Sequence, residues 1–167
     1  IRQWTKSRVE VIGSVLMAHL QLLEGEIVID GKIDKAFIDI RDRGNITAKQ
    51  VGKAWEVHTR QGTIQLTADT FESLQINCEH GKVLLSLPKS FRGTVKLLSE
   101  VVGLDKPQFK VSHFWQATPI VFETVTTEEK GKVVPQYFRY VFEKKLGEDS
   151  SSLWIRVKNS DLEILPF

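Results

Sequence analysis

The chain has little of what marks disulfide-rich or membrane proteins. It contains one cysteine, Cys78, among 167 residues, so an internal disulfide cannot form and a reducing compartment such as the cytoplasm is favoured. The sequence is also compatible with a signal peptide that has been removed. It therefore assigns no localisation, and secretion stays an alternative. The longest apolar stretch, residues 9–23, is interrupted by polar residues and falls short of the ~18 residues a bilayer span needs. We therefore expect no transmembrane segment.

An excess of charge of one sign is also missing. The 23 basic and 21 acidic residues give a net charge of +2, and the two signs are well mixed along the chain. Nucleic-acid-binding domains usually carry a basic patch or stripe. We therefore expect no specific nucleic-acid partner.

Motifs for catalysis, metal binding and cofactors are absent. No Gly-x-Ser-x-Gly nucleophile turn occurs, and no pair of the four histidines has the i, i+4 spacing of a helical zinc site. We predict no catalytic residue, no metal ligand and no cofactor, and hence that the protein is not an enzyme.

Two weaker metal-binding alternatives stay open. His58 and His80 lie near comparable positions of successive repeats and would approach one another if those repeats stack. Acidic residues also gather early in the chain, at Asp30, Asp34, Asp39 and Asp42. They lack the Gly- and Asp-rich nonapeptide of calcium-binding β-helices, which disfavours calcium.

What the chain does have is a recurring unit of Gly-x-hydrophobic type. It begins at four glycines: Gly25, Gly44, Gly62 and Gly81. Their spacings are 44−25 = 19, 62−44 = 18 and 81−62 = 19, and self-similarity at such a period is typical of a solenoid. We predict a short β-solenoid (β-helix) with coils of 18–19 residues, in which the apolar residues two places after each glycine share one file: Ile27, Ile46, Ile64 and Val83.

Alternating side chains predict two strands in each repeat, with glycine at the turn between them. In the run from Trp55 to Thr59, alternate residues are apolar or small and face inward, while Glu56 and His58 face outward. The run from Leu74 to Cys78 alternates in the same way, which makes Cys78 a small core residue. Ile38 and Ile40 are one place out of phase with the later copies, which indicates a bulge or a strand covered on both faces.

The period is lost beyond Gly103, although strand-like runs continue to the end of the chain. We predict a single domain over residues 1–167, with a repeat region at 15–103 and strand-rich capping at 104–167, because an open solenoid end exposes strand edges. A β-sandwich or an up-and-down barrel is the alternative all-β fold.

Two segments carry a resemblance to a known family. They run from Val57 to Leu66 and from Gly81 to Val95, the second containing Leu87-Pro-Lys-Ser-Phe91-Arg-Gly93-Thr-Val95. The chain resembles the adhesin-like β-solenoid domains of bacteria (the head-GIN type) and their uncharacterised fungal relatives. This resemblance covers residues 15–103 and implies a β-solenoid with no established enzymatic activity.

Aromatic residues concentrate in the C-terminal half, where they offer a contact surface; the alternative is that Trp55, Phe114 and Phe138 seal the solenoid end. The candidate ligand-binding residues are Trp115, Tyr137, Arg139 and Tyr140. We predict a non-enzymatic binding or interaction module for a protein surface or a glycan. The alternatives are a structural protein that self-associates into a homo-oligomer through strand edges, and a small β-helical carbohydrate-active enzyme using Asp39 or Asp42.

Overall fold

The computed structural model describes residues 2–102, 109–111, 121–129 and 132–167, with side chains for 7–102 and 139–167. Every element in these residues is a strand, which confirms the all-β prediction. The bounds are β1 (Arg2–Ala48), β2 (Val51–Thr67), β3 (Ser73–Leu87), β4 (Gly93–Val102), β5 (Phe109–Val111), β6 (Val121–Glu129), β7 (Lys132–Leu146), β8 (Ser152–Lys158) and β9 (Ser160–Pro166).

The strands form one mixed sheet. Its order is β1-β2-β3-β8-β4-β7-β6, and β9 continues the sheet between β3 and β5. The pairs from β1 to β4 along this path, and those of β9, are parallel. The pairs β4–β7 and β6–β7 are antiparallel, so the two ends of the sheet are built differently.

The register of the parallel pairs follows the spacing of the sequence repeat. Ile46 of β1 lies opposite Ile64 of β2, which lies opposite Val83 of β3. Val83 in turn lies opposite Leu162 of β9. All four side chains are at most 1% exposed, so they form one buried apolar file, as predicted for the first three. Ile27 is also fully buried.

The glycines that begin each repeat lie against one another. A Cβ atom on Gly62 would collide with the carbonyl oxygen of Gly44, and one on Gly81 would collide with that of Gly62. Gly62 and Gly81 also have positive φ, +130° and +146°, a conformation that other residues adopt only at a cost. Gly44 has no such φ and meets the carbonyl oxygen of Gly25. We call this set the glycine column: Gly25, Gly44, Gly62 and Gly81.

The prediction of two separate strands in each repeat is wrong in detail. β2 runs unbroken through Gly62, and β3 runs unbroken through Gly81. Gly62 and Gly81 do not end their strands because the pairing of β2 with β3 continues across them. Gln61 lies opposite His80, and Gly62 lies opposite Gly81. The expected bulge is present, since the offset between β1 and β2 changes between Ile40 and Arg43.

β8 lies inside the sheet, between β3 and β4. Leu153, Ile155 and Val157 of β8 lie opposite Leu74, Ile76 and Cys78 of β3, and all six are at most 1% exposed. The predicted repeat region at 15–103 implied that the segment after Leu87 would pair directly with β3. Instead the C-terminal β8 and β9 supply β3 with its next partners.

Trp55 is the largest side chain of this core. It is 1% exposed, and its indole Nε1 donates a hydrogen bond of 2.7 Å to the carbonyl oxygen of Ile33. A buried indole needs such a partner. Trp55 therefore packs inside the hydrophobic core. Phe114, which was expected to seal an end, lies outside the described residues, and the side chain of Phe138 is not described.

Candidate binding face

Alternation along β8 places Trp154 and Arg156, together with Ser152 and Lys158, on the outer face of the sheet. Leu153, Ile155 and Val157 point to the core, so Trp154 and Arg156 point outward. Register sets the neighbours of Trp154, with Gln75 of β3 on one side and Lys96 of β4 on the other. Three adjacent strands space these side chains over about 10 Å. We call the set Gln75, Lys96, Trp154 and Arg156 the Trp154 face.

Trp154 is unusually exposed for its size. Its relative exposure is 39%, whereas the buried Trp55 has 1%. Large aromatic side chains are mostly buried in folded proteins. An exposed indole with an amide and an ammonium group on the neighbouring strands offers an apolar surface near hydrogen-bonding groups.

Ion pairs fix the charged groups around the indole. Lys96 Nζ lies 2.7 Å from Glu143 Oε1 of β7. Arg156 and Arg139 both bind Glu100, at 3.0 Å and 3.2 Å. The side chain of Glu100 is only 14% exposed, so the two guanidinium groups stabilise its charge. The cations of the Trp154 face are thus paired with carboxylates of the same protein.

The structure separates the candidate residues taken from the sequence. Arg139 lies opposite Glu100, on the outer face, while Tyr140 lies opposite the buried Ser99. Neighbouring residues of a strand point to opposite faces, so Arg139 and Tyr140 do not share a surface. Tyr137 has its backbone opposite Val102, with its side chain undescribed, and Trp115 lies outside the described residues.

A surface pocket of about 240 Å³ lies on β1, β2 and β3. Its lining is mainly polar: Asp39, Ile40, Arg41, His58, Thr59, Arg60, Asn77 and Glu79. His58 Nε2 lies 2.8 Å from Glu56 Oε1, and its register partners are Asp39 and Asn77. The predicted approach of His58 to His80 is wrong, since His80 lies opposite Gln61. β2 and β3 pair at a spacing of 19 residues, which places Asn77 opposite His58. His80 lies three residues further along β3.

Three of the four early acidic residues form ion pairs with basic side chains. Asp30 binds Lys49 at 3.0 Å, and Asp39 binds Arg41 at 3.3 Å. Asp34 lies 3.8 Å from Lys32. Among the residues that the structure describes, no group of three or more His, Cys, Asp or Glu side chains is placed to hold a metal ion.

Sequence reasoning missed the Trp154 face, although one signal for it was present. The run Ser152–Lys158 alternates apolar and polar residues, except that a tryptophan stands at an outward position. An aromatic residue at a solvent-facing strand position favours a contact role. The partners Gln75 and Lys96 come from distant parts of the sequence, and only the sheet order brings them to Trp154.

No family model, curated protein or solved structure matches this chain. Within the described residues, no helix has the length and apolarity to cross a membrane.

Proposed function

We propose that the chain is a non-enzymatic binding module whose Trp154 face takes a neutral glycan. The observation that carries this proposal is the exposed indole of Trp154 on the outer face of β8, with Gln75 and Lys96 opposite it on the two neighbouring strands. The apolar face of a sugar ring stacks on an indole, while the ring hydroxyls need hydrogen-bonding groups at the rim. Gln75, Lys96 and Arg156 supply such groups.

The ion pairs favour a neutral glycan over an acidic one. Lys96 and Arg156 are already bound by Glu143 and Glu100. An acidic sugar would have to displace these carboxylates or approach them closely, and like charges at short distance repel. Hydroxyl groups carry no such penalty, and their oxygens can accept hydrogen bonds from the remaining N–H groups of Lys96 and Arg156.

We also propose that the sheet coils as a short β-solenoid related to the adhesin-like domains. The support is the offset of 18 or 19 residues between parallel partners and the glycine column. A strand of 47 residues such as β1 would extend about 150 Å if straight. Its residue 25 instead packs on residue 7, which requires the chain to turn back on itself.

The test is titration of the full chain with soluble neutral polysaccharides (a β-glucan, a galactomannan) and with acidic ones (a pectate, a hyaluronan). We expect binding to the neutral group only. The variant Trp154→Ala should weaken this binding by about tenfold or more, since one buried aromatic contact is worth about 1.5–3 kcal/mol. Because Trp154 is only 39% exposed and lies on an interior strand, the variant should also lower the melting temperature by a few degrees, and binding is compared well below it.

The matched control is Phe167→Ala, which removes an aromatic ring that is 54% exposed elsewhere and should leave glycan binding unchanged. Equal losses in both variants, or no binding of any polysaccharide, would contradict the proposal. A protein partner bound through Trp154 in the absence of glycan binding would favour the protein-surface alternative. Release of new reducing ends that depends on Asp39 would favour the enzyme alternative.

A further inference from the structure

The surface pocket of about 240 Å³ on β1, β2 and β3 borders the Trp154 face. We call it the Asn77 pocket. Asn77 lies between His58 of β2 and Arg156 of β8 in the register of the sheet. Asn77 also follows Gln75 by two residues on β3, and residues two places apart on a strand point to the same side of a sheet. The Asn77 pocket and the Trp154 face therefore belong to one continuous outer surface.

The Asn77 pocket lies across the strands from the indole. β8, β3 and β2 are successive neighbours, so β8 and β2 are about 10 Å apart. On its other side, Arg156 lies opposite Leu98 of β4, whose side chain has no hydrogen-bonding group. A polar ligand that extends from Trp154 beyond Arg156 therefore finds partners in the direction of β3 and β2.

The charges that line the Asn77 pocket balance. Asp39 Oδ2 lies 3.3 Å from Arg41 Nε, and Glu79 Oε2 lies 3.9 Å from Arg60 Nε. Two carboxylates thus face two guanidinium groups, as the carboxylates and cations pair around Trp154. An ionic ligand would have to displace one member of these pairs, whereas a hydroxyl group would not. The pocket therefore favours the same neutral ligand as the Trp154 face.

The groups of the pocket suit sugar hydroxyls. His58 Nε2 lies 2.8 Å from Glu56 Oε1. A carboxylate only accepts hydrogen bonds, so in the neutral imidazole the proton is on Nε2 and Nδ1 is an acceptor. The ring of His58 also contacts that of Phe37, with centroids 5.8 Å apart, which limits its rotation. The amide of Asn77 both donates and accepts, as a hydroxyl group does.

The volume of the pocket limits the size of its occupant. Sites for drug-sized molecules measure about 300–1,000 Å³, and the Asn77 pocket has about 240 Å³. One sugar unit suits this volume better than a whole oligosaccharide. The remainder of a longer ligand would lie outside the pocket, on the adjoining outer surface.

We propose that the Asn77 pocket is a second subsite for the glycan, binding the hydroxyl groups of one sugar unit while another unit of the same chain stacks on Trp154. This proposal rests on the proposed function of the Trp154 face, and it adds that the ligand is an oligosaccharide lying across β8, β3 and β2. Two contacts within one ligand reinforce each other, because the first holds the second at high effective concentration. Affinity therefore rises with ligand length until both subsites are filled.

The test is calorimetric titration of the full chain with neutral gluco-oligosaccharides and manno-oligosaccharides, from the disaccharide to the hexasaccharide. The affinity of the wild type should rise with length and then level off. Asn77→Ala and His58→Ala, made separately, should each weaken binding of the hexasaccharide by about fivefold, the size expected for one lost hydrogen bond. Both variants should leave the shortest oligosaccharide that binds within about twofold of the wild type, whereas Trp154→Ala should weaken binding at every length.

The matched control is Gln65→Ala, which removes an exposed amide of β2 on the far side of Gly62 and should leave binding unchanged at every length. Asn77→Ala removes no ring contact, so it reads the subsite even if His58→Ala loosens the packing on Phe37.

The failures of the two proposals are distinguishable. A rise of affinity with length that survives both pocket variants, or equal weakening at all lengths, would overturn the second subsite and leave the Trp154 face in place. Binding of the neutral polysaccharides without binding of any oligosaccharide would do the same. No binding of either would overturn both proposals.

Discussion

At the scale of single residues, the glycine column decides how closely neighbouring strands approach. Gly62 has two requirements at once, a φ of +130° and space for the carbonyl oxygen of Gly44. Gly13 has only the first, since its φ is +88° and nothing lies within 4 Å of an added Cβ. The two positions therefore separate the cost of conformation from the cost of contact.

Replacing Gly62 by alanine should lower the free energy of unfolding by more than about 3 kcal/mol, since backbone overlap adds to the strain of positive φ. Gly13→Ala should cost only about 1–2 kcal/mol, the cost of the φ value alone. Chemical denaturation of both variants measures the difference. Equal losses would mean that the strands at Gly62 do not pack as closely as described.

Burial also sets the chemistry of Cys78. The thiol is fully buried, and its Sγ lies 3.6 Å from Ser160 Oγ. Burial raises the pKa of the Cys78 thiol, because the charged thiolate is poorly solvated inside the core, and the hydrogen bond from Ser160 offsets this only in part. The thiol is therefore protonated and inert at neutral pH.

Iodoacetamide should leave Cys78 unmodified in the native protein at mildly alkaline pH and alkylate it after unfolding. Because the folded pKa is raised, the unfolded chain loses the thiol proton first as the pH rises. The stability contributed by Cys78 is fully present below the ordinary thiol pKa of 9.0 and is lost as the pH rises from there towards the folded value. Cys78→Ala should show a smaller alkaline loss in denaturation curves. Fast native alkylation would contradict this account.

At the scale of elements, β8 is an interior strand rather than a cover. It pairs in parallel with β3 on one side and β4 on the other. Ile155 is fully buried between Ile76 and Leu97. The C-terminal strand therefore completes the core that the earlier strands begin.

Truncating Ile155 to alanine should cost about 2–5 kcal/mol, the range for a large aliphatic side chain deleted from a packed core. Leu98→Ala is the matched control, since Leu98 is half-buried on the outer face of the neighbouring strand β4, and it should cost clearly less. Thermal or urea denaturation of the two variants makes the comparison. A loss for Ile155→Ala no larger than for Leu98→Ala would place β8 at the periphery.

The sequence predicted local features well and distant partners poorly. Alternation around Trp55, Val57 and Leu74 was sufficient to assign inward faces, because a strand shows its buried face in every second residue. The neighbours of β8 were not predictable, because parallel pairing between residues about 80 positions apart, such as Ile76 and Ile155, leaves no local turn signal. The same limit hid the Trp154 face, whose members meet only through that pairing.

At the scale of the whole molecule, the described sheet is parallel at one end and antiparallel at the other. Parallel pairs extend from β1 to β4, after which β7 and β6 continue in antiparallel fashion. The Trp154 face lies on the interior strands, where register is held from both sides. This face therefore lies away from the terminal strands β1 and β6.

The central claim is that the parallel strands pair in the register described, and that β9 pairs directly with β3. Methyl contacts measured by NMR test it most directly, using nuclear Overhauser effects between isotope-labelled side chains. We predict strong effects between Ile64 and Val83 and between Val83 and Leu162. Absence of the contact between Val83 and Leu162, with Val83 instead contacting residues of β4, would contradict the account.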